Sequence, residues 1–137
     1  MKIRIVIPCY NSENYIRVTF NHLKEVLNDC GSFDIDVLFI DDGSQDDTLS
    51  TLNELCSKIE NFQVHNKKNG GEGSARNFGL DINSNDYDYV FFVDSDDYLL
   101  EGFKSALVEL DTKKPDILVC SYIQTDSISL KILKTYN

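Results

Sequence analysis

The first pattern along the chain is a β-branched run, Ile3-Arg4-Ile5-Val6-Ile7, that stops at Pro8. Proline has no N–H to give a sheet ladder, so the run predicts a strand ending in a loop. From residue 12 to about 28 the apolar positions Tyr15, Ile16, Phe20, Leu23, Val26 and Leu27 recur at helical spacing. Ser12 is suited to cap that helix, and Cys30-Gly31 marks its stop. Ile35-Asp36-Val37-Leu38-Phe39-Ile40 predicts a second strand. Asp46 or Asp47 then caps a helix running to about Ile59, with Leu49, Leu52, Leu55, Cys56 and Ile59 on one face.

Phe62-Gln63-Val64-His65 reads as a short third strand that opens into a polar, glycine-rich loop over residues 66–73. A helix is expected from Ser74 to about Ile82. Tyr89-Val90-Phe91-Phe92-Val93 is the most hydrophobic strand and ends at Asp94. A helix over about residues 102–110 and a fifth strand, Asp116-Ile117-Leu118-Val119-Cys120-Ser121-Tyr122, follow. Strands alternating with helices imply an α/β fold with right-handed crossovers and a largely parallel sheet covered on both faces. In such a sheet ligands bind outside the carboxyl ends of the strands. Four segments carry special residues to that edge: Pro8-Cys9-Tyr10-Asn11, Asp41-Asp42-Gly43-Ser44, Asn69-Gly70-Gly71 and Asp94-Ser95-Asp96-Asp97.

Composition narrows the picture. With 137 residues and 42% hydrophobic content, the chain is long enough for one cored domain and too short for two ordinary ones, so a single domain over residues 1–137 is expected. No stretch approaches the ~20 apolar residues that cross a bilayer, and the start lacks signal-peptide features. The expected setting is the cytoplasm, including the inner face of the membrane. Cys9, Cys30, Cys56 and Cys120 are scattered and read as reduced, mostly buried thiols. A net charge of -10 argues against nucleic acid as a partner. It also means that any diphosphate ligand needs a divalent cation to mediate between it and the carboxylates.

Asp94 and Asp96 suit such a cation, Mg²⁺ or Mn²⁺, because both offer hard oxygens at the end of a strand held by the core. The plainer reading is an Asp-rich turn with Asp97 capping the next segment. Asp41-Asp42 has the same layout on another strand; a carboxylate is acceptor-only and suits an imide N–H or a ribose hydroxyl, while an Asx turn over Gly43 is the alternative. The glycines at 70, 71 and 73 permit close backbone approach, and Arg76 offers a planar fork to phosphate or base; a flexible surface loop is the alternative. Tyr10 is placed to stack on a base or to pack on the following helix. His22 and His65 lack partners at ligand spacing and carry no expected site role. Lys67-Lys68 reads as a solvated face, with assistance to a phosphate as the alternative.

Four motifs in one order resemble the family 2 glycosyltransferases with the GT-A fold. They are Ile7-Pro8-Cys9-Tyr10-Asn11, Ile40-Asp41-Asp42-Gly43-Ser44-Gln45-Asp46, Asn69-Gly70-Gly71 through Gly73-Ser74-Ala75-Arg76-Asn77-Phe78-Gly79-Leu80, and Val93-Asp94-Ser95-Asp96-Asp97-Tyr98-Leu99. The resemblance covers about residues 3–100 and implies a Rossmann-like nucleotide-diphospho-sugar transferase fold. It implies that Pro8 and Tyr10 border a nucleobase, Asp41 with Asp42 holds the uracil or ribose, and Asn69 and Arg76 complete the base and phosphate contacts. Asp94-Ser95-Asp96 becomes the family's D-x-D, with Asp96 the direct ligand of Mn²⁺ or Mg²⁺ and Asp94 near the ribose or metal. The implied activity is transfer of a sugar from a UDP-linked donor to a hydroxyl of a glycan or lipid-linked acceptor, with inversion, in cell-surface polysaccharide synthesis.

The family's general base and acceptor site lie beyond the fifth strand, and no residue here matches them. The chain is therefore expected to be the donor-binding region of a longer enzyme. A donor-binding module without catalysis is the alternative. An aspartate-nucleophile phosphatase would place its D-x-D after the first strand, and a phospho-receiver needs a lysine late in the sheet that is missing at residues 116–122.

Overall fold

The structure is a computed structural model and describes residues 1–82, 84–120, 122–125 and 132–136. Its centre is β1 (Lys2–Cys9), buried at every position after the first. That explains why the run alternates so little: a strand covered on both faces is apolar on both. β1 pairs in parallel with β2 (Asp34–Asp41) on one side and β4 (Tyr89–Phe92) on the other, and β2 pairs in parallel with β3 (Phe62–Asn66). The order is β3-β2-β1-β4, so the winding reverses between β1 and β4. Register aligns Cys9 with Asp41 and Asp41 with Asn66, which brings the ends of three strands to one line.

Helices cover both faces. On one, Ala75 of α3 (Glu72–Asp81) packs with Val6, Leu38 and Ile40, flanked by Phe78, Ile82 and Val90. Gly79 permits the close approach: a Cβ there would stand 2.5 Å from Val6 Cγ1. On the other face, Phe20 of α1 (Ile16–Asn28) stacks on Phe39 at 6.0 Å and meets Phe62 at 4.9 Å. α2 (Thr48–Cys56) buries Leu52 and Leu55. At the opposite end of the sheet from the special residues, buried Arg4 donates to the Ile82 carbonyl and, at 2.5 Å, to the Tyr87 hydroxyl. Tyr87 donates in turn to Asp36 at 2.5 Å, which ties the approach to β4 onto β1 and β2.

Two compact units are present, Met1–Glu101 and Gly102–Asn137. The first holds the parallel sheet with α1 to α3. The second holds α4 (Phe103–Lys113) and an antiparallel pair, β5 (Tyr122–Thr125) with β6 (Ile132–Tyr136). The strand expected over residues 116–122 is corrected. Residues 116–120 are not strand, Ile117 and Val119 are 79% and 87% exposed, and Ser121 lies outside the described residues. β propensity reports fit to a half-buried pleated surface, and among the described residues this segment has none to fit. Ser12 is also not the α1 cap: Tyr15 holds that position, and the Ser12 carbonyl accepts the N–H groups of Tyr15 and Ile16, each at 2.9 Å. Cys9, Cys30 and Cys56 are buried and Cys120 is exposed. Burial pushes the Cys56 thiol up to about 11 and Cys9 further. Among the described residues no helix is long and apolar enough to cross a membrane.

Candidate functional site

The winding reversal beside β1 opens the crevice where an α/β sheet binds ligands, and the special residues line it. Pro8 is buried in register with Ile40, which fixes the direction in which Tyr10 leaves the strand half-exposed. Asn11 adopts φ 49°; its N–H donates to Ser44 Oγ and its Oδ1 accepts the Gln45 N–H, both at 2.9 Å. The loops after β1 and β2 are thereby clasped together.

Asp41 is fully buried at 0% exposure. Its Oδ2 accepts the Ser44 N–H at 3.3 Å, and its Oδ1 is buried without a partner. Asp42 is also buried but fully engaged: it accepts from Lys67 Nζ at 2.5 Å, Gly70 N–H at 3.0 Å and Gly71 N–H at 2.7 Å. Burial alone would push Asp42 up, but the Lys67 and amide hydrogen bonds outweigh it and hold the carboxyl below its ordinary range. Gly43 makes the arrangement possible. It has φ 73°, and a Cβ there would stand 2.9 Å from the Asn69 amide nitrogen.

Asn69 is exposed on this loop, and α3 starts directly after Gly70-Gly71. Arg76 in α3 donates to Asp94 Oδ1 at 2.6 Å, pairs with Glu72, and lies over the Phe92 ring at 5.9 Å. Its Nε is buried without a partner. Among the described residues only three buried side-chain polar atoms lack partners, and two of them, Asp41 Oδ1 and Arg76 Nε, sit at this edge: one acceptor and one donor. Such atoms are costly unless something completes them.

Val93 carries the chain off β4, donating to the Val6 carbonyl at 3.1 Å. Residues 94–97 then form a turn, closed by the Asp97 N–H on the Asp94 carbonyl at 3.0 Å, instead of continuing extended. The strand before it is less buried than its sequence suggests, because β4 is the edge of the described four-stranded sheet and Phe92 is 42% exposed. Asp94 and Ser95 are half-buried; Asp96 and Asp97 are exposed. Burial and then the Asp94 and Asp96 charges raise the Asp97 carboxyl. Among the described residues no three His, Cys, Asp or Glu side chains are grouped as a metal site. Two hard carboxylates on one turn nevertheless suit a cation that takes one or two protein ligands and the rest from phosphate.

Several residues reach the site that periodicity gave no reason to choose. Ser12 Oγ lies 2.9 Å from Ser95 Oγ, and Thr19 Oγ1 donates to the Ser95 carbonyl at 2.6 Å. His22 Nε2 is 2.8 Å from the Leu99 carbonyl. Lys67, read as solvated, is the Asp42 partner. The one available signal was Ser12 and Thr19 being hydroxyl residues flanking the start of an otherwise apolar helical face.

The Glycosyl transferase family 2 model matches residues 4–136. The chain is 34% identical over 124 residues to poly(ribitol-phosphate) beta-N-acetylglucosaminyltransferase TarS of Staphylococcus aureus, covering 87% of this chain and 20% of that protein. It is 40% identical over 101 residues to poly(ribitol-phosphate) beta-glucosyltransferase of Bacillus spizizenii, covering 72% of this chain and 15% of the relative. This chain thus spans no more than about a fifth of the length of these two relatives. The crystal structure of S. aureus TarS 1-349 in complex with UDP-GlcNAc superposes with a TM-score of 0.67 at 35% identity, over 82% of this chain and 32% of that one. A mannosyltransferase from Pyrobaculum calidifontis, in complex with GDP-Man and Mn²⁺, shares the fold at a TM-score of 0.64 and 18% identity, over 80% of this chain and 32% of that one.

Proposed function

The chain belongs to glycosyl transferase family 2 and has the GT-A fold, and from that premise we propose that it binds a UDP-linked sugar together with a divalent cation, as the donor site of an inverting transferase acting on a hydroxyl of a glycan or lipid-linked acceptor. The observation that carries this reading is the strand order. It sets buried Asp41 and the Asp94 turn on either side of β1, one end suited to a base and the other to a diphosphate.

In this reading Pro8 aims the chain so that the half-exposed Tyr10 ring flanks the base. The unpaired Asp41 Oδ1 accepts the imide N–H of uracil, a match between an acceptor-only group and a donor. Asp42 acts one step back, holding the loop that carries Asn69. Arg76 supplies its guanidinium to the base or phosphate side as its pairing with Asp94 loosens. Asp94 and Ser95 border the ribose, and Asp96 with Asp94 holds Mn²⁺ or Mg²⁺, which supplies positive charge against the departing diphosphate. The UDP and UDP-GlcNAc complexes of TarS support a UDP-linked donor, and the Mn²⁺ complex of the mannosyltransferase supports the cation.

Calorimetry with UDP, with and without Mn²⁺, tests the assignment. Wild-type chain is expected to bind UDP more tightly with Mn²⁺ present, and Asp96→Ala to lose about tenfold of that affinity, or about 1.4 kcal/mol. Unchanged Mn²⁺-dependent binding in the variant would remove Asp96 from the metal. Anomeric configuration of the transfer product, followed by NMR, separates inversion from retention.

A further inference from the structure

The acidic turn hangs from the last strand of the described parallel sheet and concentrates three carboxylates, so its geometry needs restraint from outside. The restraint comes from α1. Thr19, 1% exposed, donates to the Ser95 carbonyl at 2.6 Å. His22, one turn further along the same helix face, has Nε2 2.8 Å from the Leu99 carbonyl and its ring edge-on to Tyr98 at 5.1 Å. Ser12, 4% exposed and just before the helix, shares a hydrogen bond with the Ser95 hydroxyl at 2.9 Å.

The same serine continues the connection across the crevice. Its N–H donates to Thr48 Oγ1 at 2.7 Å, and the Thr48 hydroxyl donates to Asp46 Oδ1 at 2.5 Å. Asp46 also accepts the Thr48 N–H at 3.0 Å, which fixes that carboxylate in the loop following Asp41 and Asp42. An unbroken series of hydrogen bonds therefore runs from the loop after β2, through the start of α1, to the D-x-D turn after β4.

We propose that Ser12, Thr19 and His22 are positioning residues of the donor site: they hold the D-x-D turn at a set distance from the Asp41 loop, so that nucleotide and divalent cation bind as one unit. The inference rests on the UDP-sugar reading above. Its physical basis is that carboxylates serve a small, geometrically strict cation only when their backbone is already fixed, and that partners behind a ligand set tune metal affinity by about 10-fold to 100-fold. Hydroxyl-to-backbone bonds from a buried helix face do this without adding charge.

The test compares UDP affinity with and without Mn²⁺, and the exchange rate of the Asp97 amide without metal, in wild type, Thr19→Val, Thr19→Ser and Ser12→Ala. Thr19→Val is expected to lose about tenfold or more of the Mn²⁺-dependent gain, keep metal-free UDP binding, and exchange the Asp97 amide faster. Thr19→Ser, which keeps the hydroxyl, is expected to restore both. Should Thr19→Val fail to fold, Ser12→Ala, altered in a loop, is read for the same loss. A full Mn²⁺ gain in the folded variants overturns the positioning role, as does an equal loss in Thr19→Ser, which would assign the effect to methyl packing. Absence of any Mn²⁺ gain in wild type instead defeats the donor reading itself.

Discussion

Asp42 shows how a single carboxylate in an acidic cluster takes on a mainly structural task. Three donors from one loop converge on it, and the Lys67 charge offsets the cost of burying it. Removing the charge while keeping the shape, Asp42→Asn, is expected to cost about 1.5–3 kcal/mol at neutral pH, the range for hydrogen bonds to a charged group. The pH dependence follows from the depressed carboxyl. A group whose folded value lies below its unfolded value, about 3.9 for aspartate, contributes fully above the unfolded value and loses its contribution as pH falls through the folded one. Urea unfolding at pH 7 and at pH 3 should therefore show the gap between wild type and Asp42→Asn narrowing in acid. A gap of equal size at both pH values would mean that an amide N–H2 set against these donors, and not the lost charge, sets the loss.

Among the elements, α3 packs against β1 with little slack at Gly79. Alanine at position 79 gains about 0.8–1 kcal/mol of helix propensity over glycine, yet its Cβ would lie 2.5 Å from Val6 Cγ1. Overpacking of this kind costs about 1–3 kcal/mol, so Gly79→Ala is expected to lower the unfolding midpoint. Val6→Ala in the same chain should recover part of the loss, since the two positions share one space. A stabilised Gly79→Ala would show that the helix can move away from the sheet. The elements themselves were legible to different degrees. α1 announces itself because it buries a periodic set of side chains, and β1 and β2 because each is a short apolar run buried almost throughout. Residues 116–120 carry the same apolar signal as a buried strand but lie exposed apart from the part-buried Leu118, and the strand begins only at Tyr122. The candidate site was legible as four motifs at strand ends. The support behind it was not: Thr19 meets a backbone carbonyl 76 residues away, and no pattern of residue types encodes a partner that every residue possesses.

At the scale of the whole molecule, net charge sets how the nucleotide of the proposed donor would arrive. The chain carries 23 acidic against 13 basic residues, a net -10. Two cations at this sheet edge are already engaged, Lys67 by Asp42 and Arg76 by Glu72 and Asp94. An anionic nucleotide therefore approaches against the field, in contrast to the steered association that a basic cleft provides. Raising salt from about 10 mM to about 150 mM shortens the screening length from about 30 Å to about 8 Å, which weakens that repulsion. Stopped-flow association of UDP without metal is expected to accelerate over this range. With saturating Mn²⁺ the nucleotide arrives less negative, so the same titration should be flatter. Slower association with added salt would mean that a local positive patch, and not the net charge, governs the encounter, and would point to Arg76 leaving Asp94 before the nucleotide arrives.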